Sequence, residues 1–237
     1  LAAEMIRQKT FPKYGKEPIS IGFWVGGTVT PNSFDELKED PEKPGEARSK
    51  IRLLSKQLLT CPFCGKPLSA EAFQIDIPRK SVSIYCLDPN CKFYKYKSQD
   101  RMKIPVYLVD EEIYSKCPTI ILSTVDKYAR LPWDVKTNAL FGRVDRVCSR
   151  DGYVAIGDKH SKHNRTDELP ASTLSQVRRF LPPELIIQDE LHLITGPLGT
   201  VYGAYETIIE DMCTYGDKKT KPKYGVYPEL CVNAKTA

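Results

Sequence analysis

The segment PPELIIQDELHLITG, Pro182 to Gly196, sets an apolar run, Leu185-Ile186-Ile187, directly against Gln188, Asp189 and Glu190, with His192 two residues further on. A short, wholly apolar run that stops at carboxylates reads as a strand buried in a parallel sheet, its carboxyl end at a ligand-binding rim. One carboxylate there suits Mg²⁺, which takes hard oxygen ligands and keeps much of its water shell. The second suits a water, which it orients or deprotonates toward a phosphoryl group. His192 lies where it would sense the nucleotide and signal to a neighbouring element. The opposing reading is an acidic strand end with a core-facing histidine. The buried strand before the carboxylates and the glycine-bearing helix start after them favour the first. Adjacent strand residues point to opposite faces, which argues against a hydrolase that chelates one metal between Asp189 and Glu190.

The flanking sequence extends the pattern. GPLGTVYGAYETIIEDM predicts an amphipathic helix with Val201, Tyr205, Ile208, Ile209 and Met212 on one face. PELCVNAKTA reads as a final strand, and PTIILST, Pro118 to Thr124, as a short buried strand running into the helix start VDKYARLPW. PVYLVDEEIY predicts a strand continued by a helix, and PISIGFWVGG a strand from Ile19 to Val25 before a Gly26-Gly27 turn. Ser33 and Glu36 have the spacing of a capping box. LAAEMIRQ reads as a helix end, EDPEKPGEARSK as a charged surface linker, and Phe141 to Pro183 as a polar, irregular insertion or functional loop. Short apolar strands alternating with helices predict an α/β protein, a parallel sheet covered by helices on both faces.

The chain has 237 residues, a formal net charge of +5 and eight cysteines. The mild positive charge permits a polyanionic partner without requiring one. No run approaches the ~18 apolar residues of a membrane span, and no signal peptide is legible. We therefore expect no membrane partner and a cytoplasmic location. Residue 1 is Leu, which suggests a segment excised from a longer protein.

Four of the cysteines fall in a short insert. CPFCG places Cys61 and Cys64 two residues apart, and YCLDPNC places Cys86 and Cys91 four apart, with 21 residues between the pairs. Two close-spaced pairs around a hairpin are the pattern of a Cys₄ zinc ribbon, closed to water and structural. So short an insert buries little core, so zinc is expected to supply its folding free energy, and its removal to unfold the insert while the sheet survives. The following KFYKYKSQDRMK interleaves basic and aromatic residues, either as a single-strand-binding surface or as a ribbon strand with alternating faces. Cys148, His160 and His163 make three irregularly spaced ligands, one short of a structural zinc set. Cys117, Cys213 and Cys231 lie in apolar contexts and read as packed thiols.

The motifs resemble those of superfamily 2 helicases, in chain order. IIQDELH is similar to the DExH (Walker B) box, and IGFWVGG to the strand and glycine pair after motif Ia. ILSTVDKYARL is similar to the strand-to-helix turn that often reads T-P-G-R-L, and NAKTA to the start of motif III. IGFWVGGTVTPN, STVDKYARLPW, LFG and PPELIIQDELHLITGPLGTVYGAYE resemble the large helicase subunit of DISARM-type bacterial phage-defence systems. The resemblance implies a RecA-like sheet with the zinc ribbon inserted, divided as 1–58, ribbon 59–97 and remainder 98–237, with a long loop at about 143–183. It implies an ATP-binding hydrolase, a helicase or translocase acting on DNA in antiviral defense beside a partner subunit. Asp189 would bind Mg²⁺, Glu190 position the attacking water, and Gln188 and His192 couple nucleotide state to DNA grip. Thr124, Lys127, Arg130, Gly26 and Gly27 would meet the nucleic acid. No G-x-x-x-x-G-K-[ST] is present, so the phosphate-cradling loop is missing and the isolated chain is expected to be inactive. A non-catalytic nucleic-acid-binding or scaffold module on the same fold is the alternative.

Overall fold

The computed structural model describes residues 4, 5, 9, 10, 13, 18–96, 102–128, 130–189, 197–213 and 229–233. The chain divides into two compact units, Leu1–Lys127 with His163–Ser172 and Tyr128–Lys162 with Thr173–Ala237.

The first unit is built on a parallel sheet. β1 (Ile21–Trp24) lies between β4 (Val106–Tyr107) and β5 (Ile120–Ser123). A helix, α2 (Asp110–Lys116), connects β4 to β5 and packs on β1. Glycine at position 22 permits that approach: a Cβ there would stand 2.6 Å from Pro118 Cγ and 3.3 Å from Ile113 Cγ2. Trp24 Nε1 donates to the Tyr114 hydroxyl at 3.0 Å, with the rings edge to face. The predicted strands 19–25 and 118–124 are thus present in shorter form, and β5 leads into the short helix α3 (Val125–Tyr128). β5 is not wholly buried as expected, for Ile120 and Leu122 are 49% and 50% exposed. The packed helix lies over β1, so the face of β5 that bears these two residues is left to solvent among the described residues.

Two local expectations need correction. Phe34–Leu37 is a single 3-10 turn, and Ser33 makes no side-chain capping bond. Glu36 reaches back instead to Asn32, accepting from its backbone N and its Nδ2 at 3.1 Å each. The linker EDPEKPGEARSK is exposed turn only as far as Gly45. There the backbone turns left-handed (φ 84°) and starts α1 (Glu46–Leu54), which buries Ala47 and Leu54. Arg, Lys and Glu are good helix formers, and the charges that suggested a linker form the helix's outer face.

The cysteine segment contains an antiparallel hairpin, β2 (Phe73–Asp76) with β3 (Ser81–Ile84). Its apolar side chains are not a separate core. Phe73, Val82, Ile84 and Phe93 pack in one cluster with Phe34, Leu37, Leu54, Ile104, Leu108 and Val109.

In the second unit, the stretch read as irregular, 141–183, holds an antiparallel sheet. β6 (Val144–Cys148) pairs with β7 (Gly152–Ala155) on one side and β8 (Leu174–Gln176) on the other. A register shift between Val144 and Arg146 breaks the two-residue alternation by which a strand is recognised. β9 (Leu185–Asp189) pairs in parallel with β10 (Glu229–Asn233). The expected burial of β9 is partial: Leu185 and Ile187 are 51% and 61% exposed. α4 (Pro197–Cys213) follows β9, with Ile209 and Met212 buried, Tyr205 and Ile208 half-buried and Gly203, Ala204, Thr207, Glu210 and Asp211 outward, so the predicted stripe from Tyr205 to Met212 faces the protein; the Val201 side chain lies outside the described residues. Arg143 donates to the carbonyls of Met212 (3.2 Å) and Asp211 at the helix's carboxyl end, where a cation offsets the helix dipole. Among the described residues no helix is long and apolar enough to cross a membrane.

Candidate metal centre

The four cysteines of the predicted ribbon converge. Cys61, Cys64, Cys86 and Cys91 each offer a sulfur, and all four lie within 4.8 Å of one another. Cys61 and Cys91 Sγ are 3.8 Å apart, and Cys64 and Cys86 Sγ 3.5 Å. Four sulfurs at the Zn–S bond length around a tetrahedral ion stand about 3.8 Å apart, so the cage has the size of a zinc site.

Local backbone chemistry builds each half. Gly65 N donates to Cys61 O, and Cys61 N to Lys66 O, both at 2.8 Å. Gly65 takes φ +73°, which lets the chain turn back tightly enough to aim both thiols at one point. In the second half Asp88 carries the turn: Asn90 N donates to its Oδ1 at 3.0 Å, and Cys91 N to its carbonyl at 2.9 Å. Two backbone N–H groups point at sulfur, Asp88 N to Cys86 (3.4 Å) and Phe93 N to Cys91 (3.5 Å). Such donors favour thiolates and fix their direction toward a metal. Burial pushes the Cys86 and Cys91 thiols up, whereas a backbone hydrogen bond from Lys66 draws Cys64 down. A cation among them would offset the cost of burying thiolates. Cys61, Cys86 and Cys91 are buried and Cys64 half-buried, the closed setting of a structural site.

The basic and aromatic run after Cys91 is turn with one isolated bridge, Tyr94 to Cys86, and not the ribbon strand with alternating faces that the sequence offered. Phe93 is fully buried and Tyr96 is 69% exposed. Tyr94 and Tyr96 stack edge to face, and Lys95 binds the Glu71 carbonyl. Residues 97–101 lie outside the described residues.

The helicase-like residues are placed unevenly. Asp189 ends β9 opposite Asn233 of β10, and Gln188 opposite Val232. Glu190 and His192 lie outside the described residues. Thr124 and Arg130 are exposed, and Gly26 and Gly27 form the turn after β1, closed by Val29 N on Gly26 O at 2.8 Å. A Cβ at Gly27 would stand 2.8 Å from Asn32 Nδ2, so a side chain there would have to displace the Asn32 amide. Lys127 does not fit a nucleic-acid contact. It is 3% exposed, and its ammonium is held by Asp110 and, at 3.0 Å, by Asn32 Oδ1. The sequence showed the lysine but not its buried partner, 17 residues away on another helix.

Cys213 is buried and Cys117 half-buried, as packed thiols should be, while the Cys231 side chain lies outside the described residues. Cys148 is different: Asp151 and His160 approach it, each offering a ligand atom within 4.8 Å of the others. Asp151 was overlooked as a ligand. Its two-residue spacing from Cys148 was the available signal.

Fold and site together define a mixed α/β protein of short parallel strands, with a four-thiol cage fastened into its core. No family model matches the chain. The chain is similar to the DISARM protein DrmA of Bacillus paralicheniformis (strain ATCC 9945a / NCIMB 11709 / CD-2), 49% identical over 234 residues and 94% of this chain. It spans 20% of that relative's length.

Proposed function

We propose that this chain is part of an ATP-driven DNA translocase or helicase of a DISARM-type defence system, carrying much of a first RecA-like lobe braced by a structural zinc. The observation that carries this reading is the 49% identity to the DISARM protein DrmA along 94% of the chain. The pairing of β9 with β10 supports it, because the DExH-like and motif III-like segments leave adjacent parallel strands at the same end, Asp189 beside Asn233. Ligands of α/β sheets gather at such ends.

In this reading Asp189 holds Mg²⁺ through its water shell, and Glu190 orients the water that attacks the γ-phosphate of ATP. Gln188 and His192 relay nucleotide state to the DNA-binding elements. Thr124 offers its hydroxyl to a DNA phosphate, and exposed Arg130 adds a cation. Lys127 acts from behind, holding Asn32 beneath the Gly26-Gly27 turn. Cys61, Cys64, Cys86 and Cys91 hold zinc, which when bound supplies folding free energy and no chemistry. Free thiols and a zinc cage suit a reducing cytoplasm.

The test is DNA-stimulated ATP hydrolysis by the parent protein. Glu190→Gln and Asp189→Asn are expected to abolish it while DNA binding persists. Unchanged hydrolysis in both variants overturns the reading. The 237-residue chain, lacking a phosphate-cradling G-x-x-x-x-G-K-[ST], is expected to show no turnover above background.

A further inference from the structure

We infer that Cys148, Asp151 and His160 form a second transition-metal site, with zinc as the cation their donor set suits best. This inference is independent of the ATPase reading and of the four-cysteine cage.

Cys148 is the last residue of β6 and is 2% exposed. Asp151 stands in the turn to β7, and His160 in the loop that follows β7; their side chains are only 13% and 15% exposed. His160 Nε2 lies 3.7 Å from Asp151 Oδ2, and each of the two residues offers a ligand atom within 4.8 Å of the Cys148 sulfur. Three different elements therefore bring a sulfur, a nitrogen and an oxygen to one point.

The backbone holds them there. Arg146, two residues before Cys148 on β6, donates through its guanidinium to the carbonyls of His160 (3.0 Å) and Asp158 (2.8 Å). This fixes the loop against the strand at the residue that carries the imidazole. On the other side of Cys148, Ser149 N donates to Thr173 O at 3.0 Å, and Thr173 N to Ser149 Oγ at 2.9 Å. The strand end bearing Cys148 is thus fastened on both flanks. A thiolate with imidazole and carboxylate excludes Mg²⁺ and Ca²⁺, which take oxygen alone, and matches zinc.

Zinc of this kind takes four ligands. Cys148, Asp151 and His160 supply three of them, and a metal held there would staple the loop after β7 to the sheet. Without metal, the same residues would be a histidine–carboxylate pair over a packed thiol, and that outcome is distinguishable.

Metal content and cobalt spectra of the 237-residue chain test this. The native chain is expected to carry about two zinc ions, falling to about one in Cys148→Ser or His160→Ala and staying near one in Cys61→Ser/Cys64→Ser. Should the substituted chains fail to fold, Co²⁺ in the native chain decides. It should show two overlapping visible spectra, one of four thiolates and one of a single thiolate with nitrogen and oxygen donors. A single metal per native chain, with a purely four-thiolate cobalt spectrum, overturns the site.

Discussion

The carboxylate of Glu112 on α2 accepts the backbone N–H of Val82 on β3 at 3.2 Å, fully buried where the cysteine-segment hairpin meets the sheet domain. Burial is the largest influence on this carboxyl; Lys103, the Val82 N–H and Lys116 oppose it, and its pKa stands raised from 4.5 to about 7. The folded state therefore prefers the neutral acid. Its stabilising contribution is complete below 4.5 and is lost as pH rises through about 7. A shift of that size corresponds to about 3.5 kcal/mol at most. Glu112→Gln keeps the shape and removes the ionisation. Urea midpoints at pH 5 and pH 8 should fall for the native chain by more than for the variant, and parallel changes would contradict the assignment.

Gly22 lies where α2 and Pro118 cross β1. A methyl group there meets Pro118 Cγ at 2.6 Å and Ile113 Cγ2 at 3.3 Å, so Gly22→Ala must displace Pro118 and press on the helix. Overpacking of this kind costs about 1–3 kcal/mol. Chemical denaturation should show the loss; an unchanged midpoint would mean that the helix approach is looser than described.

Lys127 and Asp110 are 3% and 0% exposed, so each screens a charge that has no water. Removing one partner of a buried pair costs about 3–5 kcal/mol, because the other charge is stranded. Lys127→Met should lose stability on that scale, and Lys127→Met with Asp110→Leu should recover much of it. If Lys127→Met folds normally and loses only DNA affinity, the lysine faces the nucleic acid after all.

Arg130 carries the complementary expectation. It is exposed, so Arg130→Ala should leave stability unchanged. In the parent protein it should weaken DNA binding uniformly across sequences and reduce the salt slope by about one. An unaltered salt dependence would remove it from the interface.

The sequence was most legible where local chemistry decides. Cys61, Cys64, Cys86 and Cys91 announce a shared point because their spacing allows little else, and their sulfurs meet. The α4 stripe was equally plain, since helical periodicity is a property of the segment itself. What failed depended on distant residues. Nothing near Lys127 shows that Asp110 will bury its ammonium. Nothing in VDRVC reveals that a register shift after Val144 hides a strand edge flanked on both sides. The charged run Glu39–Lys50 has linker composition, and only the buried Ala47 and Leu54 make part of it a helix. The hairpin was read as a self-contained insert, yet Phe73, Val82 and Ile84 fill the same core as Phe34 and Leu54.

That shared core alters what zinc removal should do. Cys61, Cys86 and Cys91 belong to the cluster that includes Leu37, Leu54, Leu108 and Val109. Loss of the metal is therefore expected to loosen α1 and the edge of the sheet along with the hairpin. The most direct measurement is zinc-edge X-ray absorption on the chain carrying Cys148→Ser and His160→Ala, followed by hydrogen exchange after chelation. The account predicts one zinc with four sulfur neighbours at about 2.3 Å, and faster exchange in β2, β3 and α1 once it is stripped. A coordination sphere of nitrogen and oxygen, or a metal-free chain whose hairpin and α1 stay equally protected, would contradict it.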